Sequence, residues 1–290
     1  MRPLHKSCLW FLLIASLSLA ASASDLRVPQ TVTAGEKFTI NTSGGGKATL
    51  YIVGPSQVLR RTIKLGESVT FDSNDLHSAG HYTVVLAGPS DNETAQMDVI
   101  PSLSPASISF LAKPARLPVN VQDAISGVVY VFDVFHNLID QPGEVSFQLS
   151  VPGGATQSRN VSTQNGVAWI KMSSAPKAGM ASFMARTGSI GAIRIVQQAP
   201  GDACNLKFTA HESHTGISLE TDPLRDCSGN ALPDGTIVSF TESCDGKQAT
   251  VDVPIKRGIA RTDMPAYPGA IISAATGVVM SSELHWGDRK

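Results

Sequence analysis

Charge is scarce in this sequence. Lys and Arg number 23 against 24 Asp and Glu in 290 residues, for a formal net charge of −1. Loss of Arg2 and Lys6 with the leader described below takes it to about −3. A chain so balanced has no strong electrostatic pull toward nucleic acid or an anionic membrane. Aromatic residues are few: three Trp, one of them in the leader, and four Tyr offer little for a sugar-binding platform. After the leader no run approaches the roughly 18 apolar residues of a membrane helix. No stretch of about 12 residues repeats its apolar side chains with a helical period, so helix content is expected to be small. Neither G-x-S-x-G nor a cysteine with a plausible catalytic partner is present, which argues against nucleophilic catalysis.

Three patterns come near to chemistry and fall short of it. His211, Glu212 and His214 put two imidazoles and a carboxylate together, but a zincin needs H-E-x-x-H on one helix face and these lie at i and i+3 near an expected turn at 211–216. Asp226, Asn230 and Asp234 offer oxygens to Ca²⁺, yet Leu232 and Pro233 interrupt the alternation of an EF-hand loop. A turn in which Asp and Asn bond nearby backbone N–H groups explains the same residues. Gly44-Gly45-Gly46-Lys47 lacks the spacing of a phosphate loop and reads as a hairpin turn. No cofactor and no metal are expected.

What is present begins with a leader. Met1–Ala23 carries Arg2, His5 and Lys6, an apolar run from Cys8 to Ala20, and Ala21-Ser22-Ala23, the pattern of a secretory signal peptide removed before Ser24. The remainder suits three sandwiches of about 100 residues each. Segments such as Ala34–Ile40, Ala48–Val53, Val58–Ile63, Ser68–Phe71 and His81–Leu86 are short, apolar on alternate positions and bounded by Gly, Pro, Ser or Asn. Proline-containing breaks at 100–105 and 198–202 place domains at 24–101, 102–199 and 200–290, joined by short linkers. In the second, Val128–Phe132 and Val145–Leu149 read as inner strands, with Trp169 and Phe183 as the large core residues. Trp286 reads as a cover over the open end of the last sandwich.

An internal repeat organises the chain. Asp133, Asn137, Pro142, Gly143 and Val145-Ser146-Phe147 recur as Asp226, Asn230, Pro233, Gly235 and Val238-Ser239-Phe240, and the Asp, Asn and Val-Ser-Phe positions share one offset of 93 residues. The run Asp226, Gly229, Asn230, Pro233, Asp234, Gly235, Val238, Phe240 resembles the B-to-C segment of bacterial immunoglobulin-like domains of the invasin and intimin type. Gly258-Ile259-Ala260, Pro268-Gly269-Ala270 and Ala275-Thr276-Gly277 are similar to the end of such a repeat. The resemblance covers about 102–287, is clearest over 200–290, and departs from the pattern at His136, where Gly is usual. It implies an all-β chain of tandem immunoglobulin-like sandwiches, used as spacers or adhesive modules and without catalytic residues. Asp75–Tyr82 resembles the E-to-F corner of such folds, which makes Tyr82 the expected corner tyrosine.

After loss of the leader, Cys204, Cys227 and Cys244 remain, an odd number in an oxidising setting. If Cys204 opens the first strand of the last domain and Cys227 closes the second, the two meet at one end of a hairpin, within the roughly 7 Å that a bridge allows. Pairing of Cys227 with Cys244 is the alternative and would require different strand positions. The sequence therefore leads to a non-catalytic exported protein, periplasmic, extracellular or on the cell surface. It would bind an unknown protein or polysaccharide through strand edges or end loops. The competing reading is a carbohydrate- or polymer-binding accessory protein.

Overall fold

The structure is a computed structural model that describes residues 25–88, 92–214, 216–265 and 267–287. The expected leader and its cleavage site lie outside them. Every regular element among the described residues is a β-strand, and no helix there is long and apolar enough to cross a membrane. The chain divides into two compact units, one ending at Pro101 and one beginning at Ser102.

In the first unit β1 (Leu26–Arg27), β2 (Thr31–Thr33), β3 (Phe38–Thr42), β4 (Lys47–Val53), β5 (Val58–Lys64), β6 (Ser68–Phe71), β7 (Gly80–Ala87) and β8 (Asn92–Ile100) make two sheets. Their orders are β1-β3-β6 and β2-β8-β7-β4-β5. Successive side chains of a strand point to opposite faces, so Tyr82, Val84 and Leu86 of β7 are buried while the residues between them are not. Phe38 and Phe71 lie opposite each other on β3 and β6 and stack with ring centroids 4.7 Å apart.

The corner before β7 is built around Tyr82. Its ring is fully buried, and its hydroxyl donates to the Ser78 carbonyl at 2.7 Å. Gln57 Oε1 accepts from the backbone N–H groups of His77 and Ser78, at 3.0 and 3.1 Å, and so holds the turn that presents that carbonyl. A Cβ at Gly54 would fall 2.0 Å from the tyrosine ring, so this position excludes every larger residue. Burial pushes the Tyr82 phenol above its ordinary pKa.

The second unit contains two further pairs of sheets. The first pair uses β9 (Ser107–Lys113), β10 (Arg116–Pro118), β11 (Ile125–Phe132), β12 (Glu144–Ser150), β13 (Gln157–Ser162), β14 (Val167–Met172), β15 (Gly179–Thr187) and β16 (Ile190–Ala199). Sheet β14-β11-β9 faces sheet β10-β16-β15-β12-β13 across a core centred on Phe110, Phe147 and Phe183. Phe110 meets Phe183 edge to face at 5.1 Å, an arrangement that aromatic quadrupoles favour. The second pair uses β17 (Phe208–Ser213), β18 (Gly216–Thr221), β19 (Ile237–Cys244), β20 (Lys247–Pro254), β21 (Arg261–Met264), β22 (Ile271–Thr276), β23 (Val279–Met280) and β24 (Leu284–His285). Here β17-β18-β21 faces β20-β19-β22-β23, with β24 also on β22, and Ile217, Leu219, Phe240 and Ile272 are fully buried. The chain is thus a series of immunoglobulin-like β-sandwiches.

Four local expectations are corrected. Strand β3 starts at Phe38 rather than Ala34, because Thr33–Glu36 forms a turn with Glu36 N–H donating to the Thr33 carbonyl at 3.1 Å. The Gly44–Lys47 stretch is not a hairpin: β3 pairs with β6 and β4 with β5 and β7, so the glycines carry the chain from one sheet to the other. The turn expected over 211–216 is narrower, since β17 continues through Ser213 and pairs with β18. Trp169 is 66 % exposed and not a core residue. Alternation along β14 turns Ala168 inward instead, and Phe110 and Phe147 fill the space.

Replacing Tyr82 by Phe keeps the ring and leaves the Ser78 carbonyl without its donor. The expected loss is about 1–2 kcal/mol in the first unit's urea unfolding. An unchanged midpoint would show that the corner hydrogen bond is not holding that unit.

Candidate functional site

The repeated Asp and Asn form the same structure twice. Asp133 Oδ1 accepts from the backbone N–H groups of Phe135 and Asn137, at 2.9 and 2.8 Å. Its Oδ2 accepts from the Ser102 N–H at 3.0 Å and from Asn137 Nδ2 at 2.9 Å. Asp226 repeats this atom for atom, with Ser228 N–H at 2.9 Å and Asn230 N–H at 2.8 Å on Oδ1. Gly201 N–H at 3.0 Å and Asn230 Nδ2 at 2.9 Å occupy its Oδ2. Both carboxylates are buried, at 1 % and 5 % exposure. In each case the group holds its own turn and pins the chain segment that enters the sandwich, Ser102 in one and Gly201 in the other.

The turn requires a left-handed residue between Asp and Asn. Gly229 adopts φ +83° and His136 φ +64°, and each donates its N–H to the carbonyl of the Asp, at 3.0 and 3.2 Å. His136 therefore occupies the conformation that favours glycine, at an exposed position.

In the second corner Asn230 also reaches the preceding sandwich. Its Nδ2 donates to the Pro176 carbonyl at 2.8 Å, and its Oδ1 accepts from the Ala178 N–H at 2.9 Å. Asn120 Nδ2 donates to Ser228 Oγ. Three polar contacts thus tie the 226–230 turn to the Pro176–Ala178 loop and to Asn120. None depends on a long flexible side chain, so the junction is well ordered at small entropic cost.

The disulfide joins Cys204 to Cys227, with Cα atoms 4.6 Å apart, and leaves Cys244 free and half-buried. Cys204 N–H donates to the Arg225 carbonyl at 3.0 Å. The covalent link therefore fastens the same incoming segment that Asp226 holds through Gly201.

This arrangement is structural in character. Burial alone would raise the Asp226 carboxyl, but the hydrogen bonds from Asn230, Gly201 and Ser228 hold it below its ordinary value. With four N–H donors around it, the carboxylate presents no free face to a cation. Asp234 accepts the Arg257 N–H at 2.7 Å and takes no part in the cluster. His211 is exposed on β17 and His214 lies just beyond that strand. No cluster of three metal-ligating side chains occurs among the described residues. A cavity of about 360 Å³ is lined by Glu242, Cys244, Lys247 and Tyr267 at the other end of the last sandwich. Trp286, half-buried, packs against the core there.

The class of protein is therefore defined as a tandem immunoglobulin-like sandwich chain with clasped corners. The solved structure of FdeC, an Escherichia coli adhesin, has this fold: 14 % of aligned residues are identical, 88 % of this chain and 91 % of that one are covered, and the TM-score is 0.53. Invasin, a bacterial integrin-binding protein, aligns with 11 % identity over 89 % of this chain and 57 % of its own, at a TM-score of 0.46. No family model matches the sequence and no curated protein matches it.

Asp226→Asn keeps the shape but sets an amide N–H₂ against donors, and is expected to cost about 2–3 kcal/mol. The folded carboxyl titrates below its ordinary value, so its stabilisation is present at neutral pH and is lost as the pH falls below about 4. The variant should show a shallower acid loss of stability than the parent. Equal acid slopes would contradict the assignment. Replacing Cys204 and Cys227 together by Ala should remove about 3 kcal/mol, as expected for a loop of sequence separation 23, read as a lower urea midpoint.

Proposed function

We propose that the chain is an exported, non-catalytic protein of three sandwiches, residues 24–101, 102–199 and 200–290. It acts as a spacer and adhesion module at a cell surface or outside the cell. The observation that carries this reading is the use made of the buried polar groups. Asp133, Asn137, Asp226 and Asn230 satisfy turns and chain entries and, at the second corner, a neighbouring sandwich; none is turned toward a cleft where a substrate would lie. The fold is that of a protein described as an adhesin, which supports the reading.

The partner is met on the outside. Strands β5, β13 and β20 pair on one side only, leaving backbone donors and acceptors available to an added strand. Each carries a basic residue, Arg60, Arg159 and Lys247 respectively, which discourages indiscriminate edge pairing. One observation favours the second reading, a carbohydrate-binding accessory protein. Trp169 exposes 66 % of its surface, while Trp286 is half-buried.

A bacterial host producing the full sequence should deliver it to the envelope or medium with Ser24 as its first residue. Beads coated with that product should adhere to cells above albumin-coated controls. A cytoplasmic product that keeps Met1, or beads that adhere no better than the controls, would contradict the proposal.

A further inference from the structure

The outward face of sheet β14-β11-β9 carries a cross-strand row of apolar side chains flanked by polar rows. Its register places Val128 directly between Trp169 and Leu111. The neighbouring rows are Val167, Tyr130 and Ser109 on one side and Lys171, Ser126 and Lys113 on the other. Trp169 and Leu111 are 66 % and 51 % exposed, and both lysines are exposed. Lys113 and Lys171 are the only charged residues on these three strands, which contain no Asp or Glu. Neither lysine is ion-paired among the described residues.

We infer that this face binds an acidic polysaccharide, with Trp169 and its aliphatic neighbours as the stacking row and Lys113 and Lys171 as two carboxylate anchors. The inference rests on reading the chain as a binding module and names the ligand class. Three considerations select a uronate polymer. An outward sheet face offers rows of side chains along which an extended ligand can lie, rather than a pocket that would enclose a small one. The lysines sit two strand spacings apart, about 10 Å, which is comparable with the distance between alternate sugars of a polymer lying across the strands. Three strands of about seven residues present on the order of 300 Å², well below the roughly 800 Å² per partner of a standard protein interface.

The chemistry of each row is complementary to such a chain. The indole offers a large apolar face at little cost in conformational freedom, and its N–H is a donor suited to a sugar hydroxyl. Tyr130, Ser109 and Ser126 supply hydroxyl groups beside it. An exposed ammonium–carboxylate pair is individually weak, so affinity for one sugar unit should be low and should rise with polymer length through repeated engagement.

The test is affinity electrophoresis of the full mature chain through gels containing polygalacturonate, dextran or dextran sulfate. Polygalacturonate should retard it and dextran should not, and the retardation should weaken with added salt. Trp169→Ala should reduce retardation at least tenfold and Trp169→Tyr should keep part of it. Lys113→Gln and Lys171→Gln should each reduce it about three- to fivefold. Because all three positions are exposed, thermal unfolding should stay at the parental value. The inference is overturned by any of three results: no retardation by polygalacturonate, retardation indifferent to Trp169→Ala, or equal retardation by dextran sulfate, which would mean charge alone. Absence of polygalacturonate binding while coated beads still adhere to cells would remove this ligand class and leave the adhesion reading standing.

Discussion

A buried carboxylate surrounded by four N–H donors is the constraint on which the second unit depends. Charge is costly to bury unless it is fully hydrogen-bonded, and Asp133 and Asp226 meet that condition with the same set of donors. Two of the four come from the turn backbone, one from the Asn that closes the turn, and one from the segment that enters the sandwich. Removing any of them would leave a lone pair of a buried anion unmatched, so turn shape and chain entry are fixed together. The Cys204–Cys227 bridge fastens the last sandwich at the same place. Asn230 then extends the hold to Pro176 and Ala178.

Much of this was legible in the sequence because it is carried by residues with strong local rules. Asp and Asn four apart, with a residue able to take positive φ before the Asn, mark the corner whether that residue is Gly229 or His136. Alternating Val-Ser-Phe segments mark the strands that follow. The expected pairing of Cys204 with Cys227 holds, although neither cysteine lies in β17 or β18: the segments flanking that hairpin meet at the Ala203–Asp226 bridge. What was not legible depends on partners distant in sequence. Strand β8 shows polar residues on its outward face and only Met97 and Val99 buried, too little pattern to distinguish it from a loop. The Gly44–Lys47 crossing resembles a hairpin because glycine permits both, and only the pairing of β3 with β6 decides. Trp169 was misplaced because size suggests a core residue, while register puts its neighbour Ala168 inside. The backbone partners at Gly201, Pro176 and Ala178 could not be seen at all, since none of these positions carries a side chain that signals the contact.

The same division explains why architecture is plainer than activity here. Sandwiches fill their interiors with apolar side chains and use buried polar groups to satisfy turns, so the functional surface is what remains outside. Among the outer faces, that of β14-β11-β9 combines an exposed indole, aliphatic neighbours and two lysines that have no ion-pair partner among the described residues. Large exposed apolar side chains gathered in one row are the kind of surface that soluble proteins keep for a partner.

The central claim is that the two corner carboxylates pin the segments that enter the sandwiches of the second unit. Residue-resolved hydrogen exchange on the intact chain tests it most directly, through the backbone amides of Ser102 and Gly201. Neither residue lies in a strand, so both would exchange at loop rates if their bonds to Asp133 and Asp226 were weak or transient. Protection comparable to that of the amides in β11 and β19 is the predicted result. Exchange as fast as that of the exposed turn residues would contradict the account.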